Sequence, residues 1–228
     1  MIYPHFPDGI LLKKHVGRII RVQGVQYQLE RLMAEKYDHH LVQRVALFEA
    51  KKSDTQETAV VKFRFQMDPD AILETDREAV LIMALNWFRA EAGCLQACET
   101  RDHRTPKFYG KEELVQGSQD LYPGGYMHVI AMSKVPGSPV TTFSRFTRRE
   151  IETIRKQLAE ILEYTRQKGC HYILPNKEDL FFDRTSMHTA LVGFAGLALD
   201  DNSNIDPITE SSFEVTAFGL ESLPHGRR

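Results

Sequence analysis

Nine histidines stand in this chain of 228 residues. Imidazole is the side chain whose ordinary pKa lies nearest neutrality, so these residues are the first to ask about proton transfer. His39 and His40 are adjacent, His128 falls inside an apolar run, and His171 follows Cys170. Three cysteines, Cys94, Cys98 and Cys170, offer a second chemistry. Cys94 and Cys98 lie one helical turn apart with His103 nearby, but a structural zinc site needs four closely spaced N or S ligands and no fourth is evident. An odd cysteine count without other marks of secretion makes free thiols the default. The serines include no G-x-S-x-G elbow and no H-E-x-x-H pair occurs, which removes the serine-hydrolase and metalloprotease readings.

Composition narrows the classes further. Twenty-nine Lys and Arg against thirty-one Asp and Glu leave a formal charge of -2, without the basic excess that phosphate-backbone binding needs, so nucleic acid is not an expected partner. The length and 42% hydrophobic content suffice to bury a real core, as one large domain or two small lobes sharing a cleft. The opening MIYPHFPDGILLKK lacks the basic start and apolar core of a secretory leader, and no apolar run approaches the ~18 residues of a membrane span. The expectation is an intracellular, cytoplasmic protein.

The elements that must position any site follow from periodicity. QYQLERL, VQRVALFEA and AVVKFRF read as an antiparallel meander, the last two joined by the polar KKSDTQET. Asp68-Pro69 is a helix start, and Ile72, Ala79, Ile82, Met83 and Trp87 then share one side of a helix running to about Ala90; Thr75 with Glu78 offers a second start. PKFYG and YMHVIAMSKV extend the sheet to five strands, and Pro136-Gly137 ends it. YPGGY, between them, reads first as a turn and second as a lid. TRRE from Thr147 is a capping box, followed by Ile151, Ile154, Leu158, Ile161, Leu162 and Thr165 at helical spacing and closed by Gly169. DLFFD and ALVGF, joined by RTSMHT, make a hairpin. Past Asp200 a polar stretch leads to a weakly amphipathic tail that docks as a short helix or strand, or frays.

That order of elements resembles the protein-kinase and aminoglycoside-phosphotransferase superfamily, and in particular the compact kinase-like proteins of filamentous fungi. The resemblance spans about Val25 to Leu199. It implies an α+β, two-lobe kinase-like fold: an extension over 1–24, an N-lobe over 25–135 with a five-stranded antiparallel sheet and one helix, and a reduced, mostly helical C-lobe with a tail over 136–228. AVVK resembles the strand that supplies a phosphate-binding lysine, here Lys62, and REAVLIMAL the helix whose acid pairs with it, here Glu78 with Glu74 as the fallback. HVIAMSKVPGSPV resembles the fifth strand and hinge, placing Met132, Ser133, Lys134 and Val135 where a nucleotide base would meet backbone groups.

Against the same pattern, the chemistry of phosphoryl transfer is incomplete. The counterpart of the glycine-bearing phosphate loop is LMAEKYDHHLVQ, which has no glycine and carries Glu35 and Asp38. HYILPNKEDLFFD resembles the catalytic loop with Tyr172, Leu174 and Asp179 at the positions of its His, its base and its metal-binding Asn, and a leucine accepts no proton. Asp179 could still hold a cation. Gly193-Phe194-Ala195 stands at the magnesium-binding motif, where glycine supplies no carboxylate.

The resemblance therefore implies a pseudokinase, a ligand- or partner-binding module that needs no cofactor and no metal. The alternative is a kinase fold recruited to act on an apolar small molecule, such as a natural-product cyclase or pericyclase, with Lys62, His128, His171 and Tyr172 as donors. A third reading keeps residual phosphotransfer through Lys62, Glu78, Asp179 and Asp183. The expected partner is a small apolar ligand or a protein, in or near the cleft between the lobes. Phe181, Phe182, Phe194 and Trp87 are read as core.

Overall fold

Alternation along TAVVKFRFQ organises the first half of the chain: Ala59, Val61, Phe63 and Phe65 face one side of a strand, while Val60, Lys62 and Arg64 face the other. The computed structural model describes residues 6–71, 76–99, 102, 104–172, 175–194, 197–199 and 206–224. It divides into two units, Pro4–Arg89 with Phe108–Lys134, and Ala90–Lys107 with Val135–Arg228.

The first unit is a six-stranded sheet. Its strands are β1 (Ile19–Val22), β2 (Val25–Asp38), β3 (Gln43–Lys52), β4 (Thr58–Gln66), β5 (Phe108–Val115) and β6 (Tyr126–Ser133). They lie in the order β1-β2-β3-β4-β6-β5, every neighbouring pair antiparallel. The expected sheet had five strands. The sixth, β1, comes from the segment read as an extension, where the Gln23-Gly24 turn, with φ of 46° and 84°, folds Ile20 and Val22 back onto β2. The Gln23 amide donates to Glu112 Oε1 at 2.8 Å, so the sheet curls until its first turn reaches edge strand β5. Tyr27, Leu29, Phe48, Phe63, Phe65 and Val129 fill the concave side.

The stretch read as a phosphate-loop counterpart is not a loop. β2 continues to Asp38, and its register with β3 runs Lys36 to Val45, Tyr37 to Arg44 and Asp38 to Gln43. Asp38 caps the tight turn, accepting from the His40 and Leu41 amides and from Gln43 Nε2. Glu35 is fully buried, paired with Arg44, and accepts from the amides of Leu11 and Leu12. The same arginine donates to the carbonyls of Asp8 and Gly9. The Glu35 charge is thus spent internally, tying residues 8–12 to the hairpin.

Helix α1 (Arg77–Ala97) follows a short 3-10 turn at Pro69–Ala71 and runs on past the expected end near Ala90. Its buried stripe is Ala84, Phe88, Glu91, Ala92 and Leu95. The face expected to be buried is outward instead: Ala79 is exposed, Ile82 is 53% exposed, Met83 45% and Trp87 39%. Ile72, Glu74 and Thr75 lie outside the described residues. The YPGGY segment is a turn: Gln116, nearly buried, holds it by donating to the Gln66 and Tyr126 carbonyls and accepting from the Tyr122 amide.

The second unit is built on α2 (Arg148–Gln167). Thr147 and Glu150 form the expected capping box, and Gly169 at φ 73° ends the helix. Around it lie β7 (Ser138–Pro139), β8 (Cys170–Tyr172), β9 (Leu180–Asp183), β10 (His188–Leu191), β11 (Leu197–Leu199) and the short α3 (Phe213–Thr216). Among the described residues these strands are brief, and α2 is the dominant element. β9 and β10 form the predicted hairpin, and β7 pairs with β9 because Gly137, at φ 86°, lets the backbone approach where a Cβ would stand 2.5 Å from the Phe182 carbonyl carbon. The tail docks: Val215, Phe218, Leu220 and Leu223 are buried in the α2 core, and the Ile208 amide donates to Glu163.

Candidate functional site

In the first unit, β4 presents Lys62 half-buried between Leu47 of β3 and Ile130 of β6. Glu78, its expected partner, sits exposed in the first turn of α1, and among the described residues no ion pair joins the two. The helix begins at Arg77 and turns this acid to solvent. The acid that α1 buries is Glu91, at 1% exposure, three residues beyond Phe88 on the inward stripe. Sequence reasoning passed over it, although its spacing from Phe88 was a usable signal.

His128 is no surface proton donor. Its ring lies between Phe88 at 4.5 Å and Tyr126 at 4.3 Å, nearly parallel to both, and its Nδ1 has no hydrogen-bond partner among the described residues. Burial lowers its pKa to about 4; Glu113 works to raise it, while Arg64 and Arg89 lower it further. A neutral, stacked imidazole serves packing. His39 and His40 are exposed turn residues, the former edge-on to Tyr37. Ser133 is buried at the end of β6 opposite Ala59, and Lys134 pairs with Glu49. Val135, in the second unit, packs with Phe181 and Ala190.

In the second unit, β8 carries Cys170, His171 and Tyr172 alongside β11. Half-buried His171 lines a cavity of about 200 Å³ with Cys170, Arg166, Thr165 and Glu214. Leu174 and Ala195 lie outside the described residues. Asp183 is spent on its own turn, accepting from the Thr185 amide and the Ser186 hydroxyl, and these contacts hold its pKa below the usual value. Phe181, Phe182 and Phe194 are buried as expected, whereas Trp87 is not.

The structure does bring together the two positions that the resemblance assigns to metal ligands. The Asp179 carboxylate lies directly against Gly193, and a Cβ on that glycine would stand 1.9 Å from Asp179 Cγ and Oδ2. Val192 N donates to the Asp179 carbonyl at 2.9 Å, fixing the two segments to each other. A side chain at residue 193 and the Asp179 side chain as placed leave no room for each other. Among the described residues no group of three or more His, Cys, Asp or Glu is arranged to hold a metal ion. No helix among them is long and apolar enough to cross a membrane.

No protein-family model matches the sequence. No curated protein matches it either. Among solved structures, that of vaccinia related kinase 3 is similar in fold, at 13% identity and a TM-score of 0.49, over 82% of this chain and 56% of that one. This chain therefore spans just over half of that kinase.

Proposed function

We propose that this chain is a kinase-fold protein without phosphotransfer chemistry, acting as a ligand- or partner-binding module. The reading is supported by strand order and by the helix between β4 and β5, which follow the order of elements of the superfamily. The contact of Asp179 with Gly193 carries it, because the space of a second metal-binding acid is already filled. Leu174 at the position of the base points the same way.

The reading as an enzyme on an apolar substrate draws less support. His128 is closed off by two aromatic rings, and the cavity at His171, about 200 Å³, is smaller than the ~300–1,000 Å³ typical of sites for drug-sized ligands. A protein partner is favoured by the exposed apolar residues Leu81, Ile82, Met83 and Trp87 along α1.

Thermal unfolding with ATP and magnesium tests the proposal. No magnesium-dependent shift is expected; a rise in Tm with saturable ATP dependence would overturn it. Gly193→Asp, which restores the missing acid of the resemblance, should lower stability and create no ATP-dependent shift, whereas a gain of metal-dependent nucleotide binding would count against the steric argument.

A further inference from the structure

Three buried thiols from distant parts of the chain meet in the second unit. Cys94 lies in α1, Cys98 follows the last helical residue and donates its amide to the Cys94 carbonyl at 2.9 Å, and Cys170 opens β8. All three are free and essentially inaccessible to bulk solvent. The Cys170 thiol interacts with the thiols of both Cys94 and Cys98. Only 3.8 Å separates it from the Lys168 carbonyl. They are not arranged to hold a metal ion, and their contact has no part in the proposed binding function.

What distinguishes Cys170 is its second neighbour: it lines the cavity of about 200 Å³ whose polar and charged groups are Thr165, Arg166, His171 and Glu214. Neither Cys94 nor Cys98 lines that cavity. We infer that Cys170 is a peroxide-sensing thiol, oxidised by a hydroperoxide entering this cavity and then resolved to a disulfide by Cys94 or Cys98. Accepting from two thiols favours the Cys170 thiolate and lowers its pKa against the opposing effect of burial, while the two donors are pushed up. The place of Cys170 in the cavity wall, which neither helix-end thiol shares, sets the attacking sulfur apart from its resolving partners.

The chemistry balances in two steps. The Cys170 sulfur attacks one oxygen of the hydroperoxide; an S–O bond forms, the O–O bond breaks, and the departing alkoxide takes a proton and leaves as alcohol, or as water when the oxidant is hydrogen peroxide. The second thiol then attacks the sulfenic sulfur; an S–S bond forms, the S–O bond breaks, and the hydroxide leaves as water with the proton of that thiol. Two thiols lose two electrons and the peroxide gains them. The product joins the end of α1 to β8, and a dithiol reductant reverses it.

The test uses the full chain and hydrogen peroxide under native conditions, followed by alkylation and peptide mapping without reduction. A Cys170 peptide disulfide-linked to the peptide bearing Cys94 and Cys98, and released by dithiothreitol, is expected. In the variant combining Cys94→Ala and Cys98→Ala the sulfenic acid should persist, giving about fivefold more labelling of Cys170 by a cyclic diketone. If that variant does not fold, the mapping of the unaltered chain decides alone. Cys170 remaining alkylatable after peroxide, a bridge only between Cys94 and Cys98, or oxidation of Cys170 that occurs only in urea would each overturn the inference.

Discussion

Helices α1 and α2 are nearly equal in length, 21 and 20 residues, and they were read from the sequence with opposite success. Along α2, charged residues surround a narrow apolar stripe, so Ile151, Ile154, Leu158, Ile161 and Leu162 had one face to share, and all five are buried. Along α1, apolar residues occur on every side, and the structure chooses Ala84, Phe88, Ala92 and Leu95 while leaving Leu81, Ile82, Met83 and Trp87 outward. Amphipathic contrast names the buried face. Apolar content alone does not.

The sharpest way to break the comparison is to cut into both stripes. Phe88 is fully buried, stacks on His128 and has Lys111 Nζ 5.6 Å above its ring. Phe88→Ala should cost about 3–5 kcal/mol and Leu158→Ala about 2–5 kcal/mol in urea unfolding, the spread at each site reflecting how far neighbours collapse into the cavity. A cost below about 1 kcal/mol at Phe88, with Leu158 behaving as expected, would mean that α1 does not bury the face described.

The stack at Phe88 also carries a pH dependence of its own, through His128. Burial holds the folded-state pKa of His128 at about 4, below the 6.5 of an exposed imidazole, so the unfolded chain binds the proton more readily. This contribution is fully present above pH 6.5 and is lost as pH falls toward 4. At about 1.4 kcal/mol per pKa unit it amounts to something on the order of 3 kcal/mol. His128→Gln should flatten the stability profile between pH 6.5 and 4; an unchanged slope would show that the ring is already charged or solvated in the fold.

How much of this was legible depended on where the physics was local. Thr147 with Glu150, Gly169 beyond the helix end, and the strands β3 and β4 state their own conformation within a few residues, and each was read correctly. The missed β1 had a local signal, because the Gln23-Gly24 turn pairs Val22 directly with Val25. The other failures involve partners further apart in sequence. Glu35 was read as an acid of the phosphate-loop counterpart because nothing nearby announces that Arg44 and the amides of residues 11 and 12 will enclose it. Asp179 and Gly193 were assigned separately; only the fold shows that one fills the space the other leaves. Cys170 was likewise far in sequence from the two cysteines it touches.

Between these extremes stands the α2 cap, a local device of moderate size. The Thr147 hydroxyl accepts from the Glu150 amide at 3.2 Å, and Glu150 Oε2 accepts from the Thr147 amide at 2.6 Å. Burial of Glu150 works to raise its pKa, but Arg184 and the Thr147 contacts outweigh it and the carboxyl stays below its usual value. Thr147→Ala should cost about 1 kcal/mol, and Thr147→Ser should recover most of that. An equal loss from both substitutions would assign the effect to packing of the threonine methyl group instead of the cap.

The smallest effect is expected where the sequence reading placed the buried face of α1. Ile82 and Met83 are about half exposed, so replacing either with Gln removes little apolar contact and keeps a good helix former. Each change should move stability by less than about 0.5 kcal/mol. A neutral result has a positive meaning here, because four large apolar residues kept outward on one helix are costly to solubility and contribute little to folding. If this face serves a protein partner, Ile82→Gln and Met83→Gln should weaken that association while leaving urea unfolding unchanged. A loss of 2 kcal/mol or more, which is about what burial of one such side chain is worth, would instead place the face against its own chain and restore the reading that the exposure of Trp87 overturned.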